Sequence, residues 1–126
     1  MIESKRLWRS FQHAFRGLFG VIEKEQNFRV HVVAALLVIF LGLYFRIYLW
    51  QWCLIVLLIA SVMILELLNT TFERLVDMLK PRLHEYVRDI KDMMSAVVLI
   101  AAIASVIIAL IIFVPYVSVE LNTLLK

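Results

Sequence analysis

The sequence predicts an all-α integral membrane protein with three transmembrane helices and an amphipathic surface helix ahead of them. Three observations lead there. Of 126 residues, 63% are hydrophobic and only 18% charged, whereas a soluble domain is closer to half apolar and a quarter charged. The apolar residues gather in three long runs, and the Lys and Arg residues gather in two of the segments flanking them. One small domain, residues 1–126, accommodates all of this.

The first element is a surface helix over about 5–24. Trp8, Phe11, Phe15, Leu18, Phe19 and Ile22 recur at helical spacing and form one apolar stripe. Lys5, Arg6, Arg9 and Arg16 supply a basic complement. Aromatics on one side and cations on the other suit a helix lying in the membrane interface. No secretory signal architecture is read here, because the first long apolar run starts near residue 30 behind a charged stretch with no small-residue cleavage site.

That first run, 30–45, is interrupted only by His31. As a helix it rises about 24 Å, a little short of a hydrocarbon core of about 30 Å. Arg29 and Arg46 flank it and can snorkel. The second run, 47–70, opens with Tyr48, Trp50 and Trp52, aromatics expected at a membrane–water boundary. The third, 93–117, has no charge between Asp92 and Glu120. A polar segment, roughly 71–92 and interrupted by Pro81, joins the last two.

Charge placement sets the expected orientation. Lys5, Arg6, Arg9, Arg16, Lys24 and Arg29 precede the first run, and Arg74, Lys80, Arg82, Arg88 and Lys91 lie between the second and third. The two opposite segments hold only Arg46 and Lys126. The positive-inside rule puts the amino terminus and the 71–92 segment in the cytoplasm. The expected location is therefore a membrane that the chain crosses several times, with the amino terminus cytoplasmic.

The acidic residues carry the chemical signal. Glu66 stands inside the second apolar run. A carboxylate there costs on the order of 3 kcal/mol on insertion scales, so it normally faces a protein interior and a function. Glu66, Asn69, Glu73 and Asp77 follow at steps of three, four and four, which puts them on one helix face. That row climbs about 16 Å out of the membrane. It can join a lipid hydroxyl to a water-soluble substrate, with Glu66 as general base. Glu73 and Asp77, nearer water, are able to hold a divalent cation. Glu25 offers a further carboxylate, since magnesium takes oxygen ligands from carboxylates and substrate phosphates. Lys91, beside Asp92 at the entrance of the third run, can meet a phosphate as a point charge. The competing reading of Glu66 and Asn69 is a polar seam inside an oligomer; that of Glu73, Asp77 and Glu25 is a solvated surface.

Other chemistries find no support. No Gly-x-x-x-x-Gly-Lys-Ser/Thr loop is present, and three glycines cannot build a glycine-rich phosphate cradle. His13, His31 and His84 are far apart in sequence, and Cys53 is single. The basic residues flank membrane runs and do not indicate nucleic acid.

The stretch Glu66 to Asp77, Glu-Leu-Leu-Asn-Thr-Thr-Phe-Glu-Arg-Leu-Val-Asp, resembles the signature of the small bacterial diacylglycerol kinase and undecaprenol kinase family. Glu25 with Asn27-Phe28-Arg29, and Lys91-Asp92 with Ser95, are similar to two further family blocks. The resemblance covers nearly the whole chain. It implies a homotrimeric, ATP-dependent, magnesium-using lipid kinase with active sites shared between subunits. By that resemblance Glu66 is the base, with Asn69 and Ser95 beside the lipid head. Glu25 and Glu73 hold magnesium on ATP. Arg6, His13, Arg82, His84, Lys91 and Asp92 contact the nucleotide, and Asp77 supports the site. The sequence departs from its relatives at His13, where Tyr is common, and at Met93 and Met94, where small residues are common. His31, completing an Asn-Phe-Arg-x-His block, leans toward the undecaprenol-type relatives. The expected reaction is phosphorylation of a lipid alcohol, undecaprenol or diacylglycerol. A non-enzymatic scaffold or proton-relay oligomer needs only Glu66 and Asn69.

Overall fold

The computed structural model describes residues 4–79 and 84–125, and its elements are all helical: α1 (Ser4–Lys24), α2 (Gln26–Phe45), α3 (Leu49–Asp77) and α4 (His84–Leu124). Among the described residues α2, α3 and α4 are long and apolar enough to cross a membrane. The fold is therefore the expected one, three spanning helices with an amphipathic helix in front.

The helices are longer than the apolar runs that predicted them. The α2 helix starts at Gln26, so its 20 residues reach about 30 Å, a full hydrocarbon thickness. The 29 residues of α3 reach about 43 Å and carry the helix through the polar row to Asp77. Most of the expected polar linker 71–92 is thus helix, because residues 71–77 and 84–92 continue the flanking spans. The 41-residue α4 runs through Pro115 without ending. Pro81 lies outside the described residues.

Packing is concentrated between neighbours in the chain, α3 against α4 and α2 against α3, with α1 touching α2. A buried cluster of Ile47, Ile55, Ile112 and Phe113 closes the end of the bundle formed by the α2–α3 turn and the carboxyl half of α4. Gln51, buried there, accepts hydrogen bonds from the Tyr48 backbone N–H at 2.9 Å and the Tyr116 hydroxyl at 2.7 Å. These bonds satisfy the oxygen of a buried polar side chain. The α2–α3 turn is made by Arg46 in the left-handed region (φ 49°), from which the Ile47 N–H reaches back to the Gly42 carbonyl at 3.2 Å.

The outer surfaces of the three spans remain largely exposed aliphatic side chains, as a lipid-facing bundle requires. On α1 the aromatic stripe of Trp8, Phe11, Phe15 and Phe19 is likewise uncovered. Only Val21 of that helix is buried. An uncovered aromatic face next to basic residues fits an interfacial helix better than one packed on protein. Cys53 is exposed on α3.

Gly42 is the close-packing point between α2 and α3. A Cβ there would stand 2.8 Å from two atoms of the Trp52 indole, too close without displacing the ring. We therefore expect Gly42→Ala to lose about 1–3 kcal/mol of stability. Gly17 has nothing within 4 Å of such a Cβ, so Gly17→Ala should be neutral or stabilising by up to about 1 kcal/mol. Thermal unfolding of the two variants in detergent micelles measures the contrast.

Candidate active site

The end of the bundle opposite the Ile47–Phe113 cluster brings together the start of α2, the end of α3 and the start of α4. The row foreseen on α3 lies here. Glu66, 4% exposed, and Asn69, 7% exposed, are buried, with Thr70 beside them. Glu73, one turn on, is half-buried, and Asp77 at the helix end is exposed. Burial decreases along the row as the helix leaves the bundle, so one face passes from protein interior to polar surroundings within about 16 Å.

Each member meets a partner of complementary chemistry. The Glu66 carboxylate faces His31 of α2, with Nε2 to Oε1 at 3.0 Å. Asn69 donates from Nδ2 to Glu73 Oε1 at 3.4 Å. Asp77 pairs with Lys91 of α4, Nζ to Oδ1 at 2.7 Å. Glu25, the residue before α2, accepts from the Arg74 guanidinium at 3.1 Å. The α3 row is thereby tied to α2 at its buried end, to the α1–α2 junction beside it, and to α4 at its exposed end.

One atom of the row has no protein partner. The Asn69 Oδ1 is buried and accepts no hydrogen bond among the described residues. An unsatisfied buried carbonyl typically costs about 1–3 kcal/mol, so a bound hydroxyl or cation there would relieve a standing penalty. The oxygens of Glu25, Glu73 and Asn69 are the hard donors magnesium prefers. Among the described residues, no group of three or more His, Cys, Asp or Glu side chains could hold a metal ion by itself. A cation at this site would complete its shell with substrate phosphates and water, which is usual for magnesium.

The other described candidates lie on α1 and α4. Arg6 and His13 are exposed on α1, and Asp92 and Ser95 are exposed on α4. None of these four side chains is hydrogen-bonded or ion-paired to the row. Arg82 and the side chain of His84 lie outside the described residues. Two residues tied to the row had drawn no chemical role from spacing or charge. His31 was read as an interruption of an apolar run, though a polar residue in such a run is the same anomaly as Glu66 and invites pairing with it. Arg74 was read only as a topology marker, though it directly follows Glu73.

Two cavities lie along the bundle. An apolar groove of about 290 Å³ starts at His31 and runs between the three spans past Ala35, Ile59, Val62, Ala102 and Ser105. A wider cavity of about 800 Å³ lies at the far end among Tyr44, Arg46, Gln51, Tyr116 and Glu120. The groove adjoins the carboxylate row, whereas the wider cavity holds a single carboxylate that Tyr44 contacts at 3.3 Å.

Polar machinery that starts inside a membrane bundle and ends beyond it suits a substrate whose reacting group is anchored in the bilayer. Fold and site thus define a membrane-embedded enzyme acting on lipid. The chain belongs to the prokaryotic diacylglycerol kinase family, matched over residues 12–113. It is a lipid kinase, transferring phosphate from ATP to a lipid alcohol. It is similar to the undecaprenol kinase of Bacillus subtilis (strain 168), with 37% identity over 113 residues, 90% of this chain and 92% of that protein. It is 33% identical to the diacylglycerol kinase of Escherichia coli (strain K12) over 102 residues, 81% of this chain and 84% of the relative. A diacylglycerol kinase of Synechocystis is 35% identical over 100 residues, 79% of this chain and 57% of its own length.

The orphan Asn69 oxygen separates stability from function. Asn69→Leu removes a buried unsatisfied acceptor at similar volume, so the melting temperature in micelles should hold or rise. Lipid phosphorylation should fall at least tenfold in the same preparation. Parallel thermal unfolding and turnover assays read the two effects.

Proposed function

We propose that this protein phosphorylates the hydroxyl of undecaprenol, using ATP and magnesium at the Glu66–Asp77 row. The observation carrying this reading is the buried Glu66 at the inner end of a polar row that leads out of the bundle. A lipid alcohol presents its hydroxyl at that depth, and a nucleotide can approach only from the polar end. Undecaprenol is favoured over diacylglycerol by the Asn27-Phe28-Arg29-x-His31 block and by the extent of similarity to the Bacillus subtilis undecaprenol kinase.

In this mechanism the lipid hydroxyl oxygen attacks the γ-phosphorus of ATP. The bond from that phosphorus to the bridging oxygen breaks, and its electron pair leaves with ADP. The hydroxyl proton passes to Glu66. Asn69 and Ser95 orient the lipid head, with Asn69 Oδ1 available as an acceptor. Glu25 and Glu73 would hold magnesium, which supplies neutralisation of phosphate charge when bound. Lys91, steadied by Asp77 at 2.7 Å, offers its ammonium to phosphate. Asp92, Arg6, His13, Arg82 and His84 complete the nucleotide contacts.

The protein acts as a homotrimer in the bacterial inner membrane, with its amino terminus and the polar end of the row on the cytoplasmic side. The distribution of Lys and Arg supports this orientation. A scaffold or proton relay would use Glu66 and Asn69 alone and would need no nucleotide-binding residues beside them.

The test is an assay of purified protein in micelles with labelled ATP and a lipid panel. Undecaprenol should be labelled at least tenfold faster than diacylglycerol, and label on neither lipid defeats the reading. Glu66→Gln should lower kcat by at least about 100-fold, the scale of a lost general base, with KM for ATP little changed. Retention of turnover by this variant excludes Glu66 as the base.

A further inference from the structure

We propose that His31 is a positioning residue for the reaction, holding the Glu66 carboxylate in the orientation that accepts the lipid proton. The inference rests on the assignment of Glu66 as the base and adds a residue that this assignment does not include.

The geometry has three parts. First, the contact is short and crosses helices: His31 Nε2 lies 3.0 Å from Glu66 Oε1, joining the first turns of α2 to the middle of α3. A side chain on α3 alone could rotate about its own torsions. A bond to a second helix fixes its position relative to the bundle. Second, the Glu66 side chain is 5% exposed against 23% for His31, so the carboxylate has little water to orient it. With Nε2 protonated, the imidazole donates to Oε1 and leaves Oε2 for the lipid hydroxyl. His31 gains and loses no proton in the step. Third, His31 also lines the mouth of the apolar groove between the three spans. Its ring therefore stands where hydrocarbon surroundings meet the carboxylate row.

Positioning of this kind has a large effect on rate, since about 1 Å of misplacement can cost a factor of roughly 100. It has a small effect on nucleotide affinity, because the residues proposed for ATP lie one or more turns farther along the row or on other helices. The expected signature is a loss in kcat with little change in the KM for ATP.

The experiment compares His31→Leu, His31→Gln and His31→Asn with Glu66→Gln as purified protein in lipid–detergent micelles. Gln carries an amide N–H at a reach close to that of Nε2, Asn carries the same donor one methylene shorter, and Leu carries none. His31→Leu should lose at least 20-fold in kcat with the KM for ATP within about threefold. His31→Gln should recover at least a fifth of wild-type turnover, and His31→Asn should resemble Leu. If Leu does not yield folded protein by thermal unfolding, the Gln and Asn variants decide alone. Equal turnover in these two, or a folded Leu variant within twofold of wild type, overturns the proposal. Turnover retained by Glu66→Gln would defeat the base assignment itself, so the two failures are distinguishable.

Discussion

The architecture depends on one constraint: a carboxylate inside a membrane bundle must face other protein groups. Glu66 cannot point to lipid at acceptable cost, so the α3 face bearing it must turn inward, toward α2. His31 is the group it meets there. That contact fixes the rotation of α3, and the rotation carries Asn69, Glu73 and Asp77 along the same inner side. The row proposed to carry function is therefore also a structural register, set by the most deeply buried of its charges.

The two ends of the bundle are built differently. At the far end, Ile47, Ile55, Ile112 and Phe113 pack with Gln51 satisfied by Tyr48 and Tyr116. This end is held by apolar contact and by the two hydrogen bonds that Gln51 accepts. At the site end, the helices are joined by charge pairs, Glu25 with Arg74 and Asp77 with Lys91. Partly exposed pairs contribute little stability. They leave cations and carboxylates close together and accessible to a phosphate-bearing substrate.

Asn69 illustrates what the proposed site would retain at the expense of stability. Its amide nitrogen reaches Glu73, but its buried oxygen accepts nothing from the protein. A stability-optimised bundle would place an apolar side chain there. The uncovered aromatic face of α1 and the exposed Asp92 and Ser95 of α4 are unused in the same sense by a single chain. They face the interface or a neighbouring subunit in the proposed assembly.

The sequence by itself determined the fold class and the row. Long apolar runs have one physical use, and a step of three or four residues has one geometric meaning on a helix, so Glu66, Asn69, Glu73 and Asp77 were legible as one face. Exact helix ends were less legible: polar residues 71–77 and 84–92 do not look like spans, yet backbone hydrogen bonding propagates the helices through them. Tertiary structure alone decided the partners. That His31 meets Glu66, Arg74 meets Glu25 and Lys91 meets Asp77 depends on how three helices pack and turn. Periodicity describes one helix at a time and contains no information about the rotation of its neighbour.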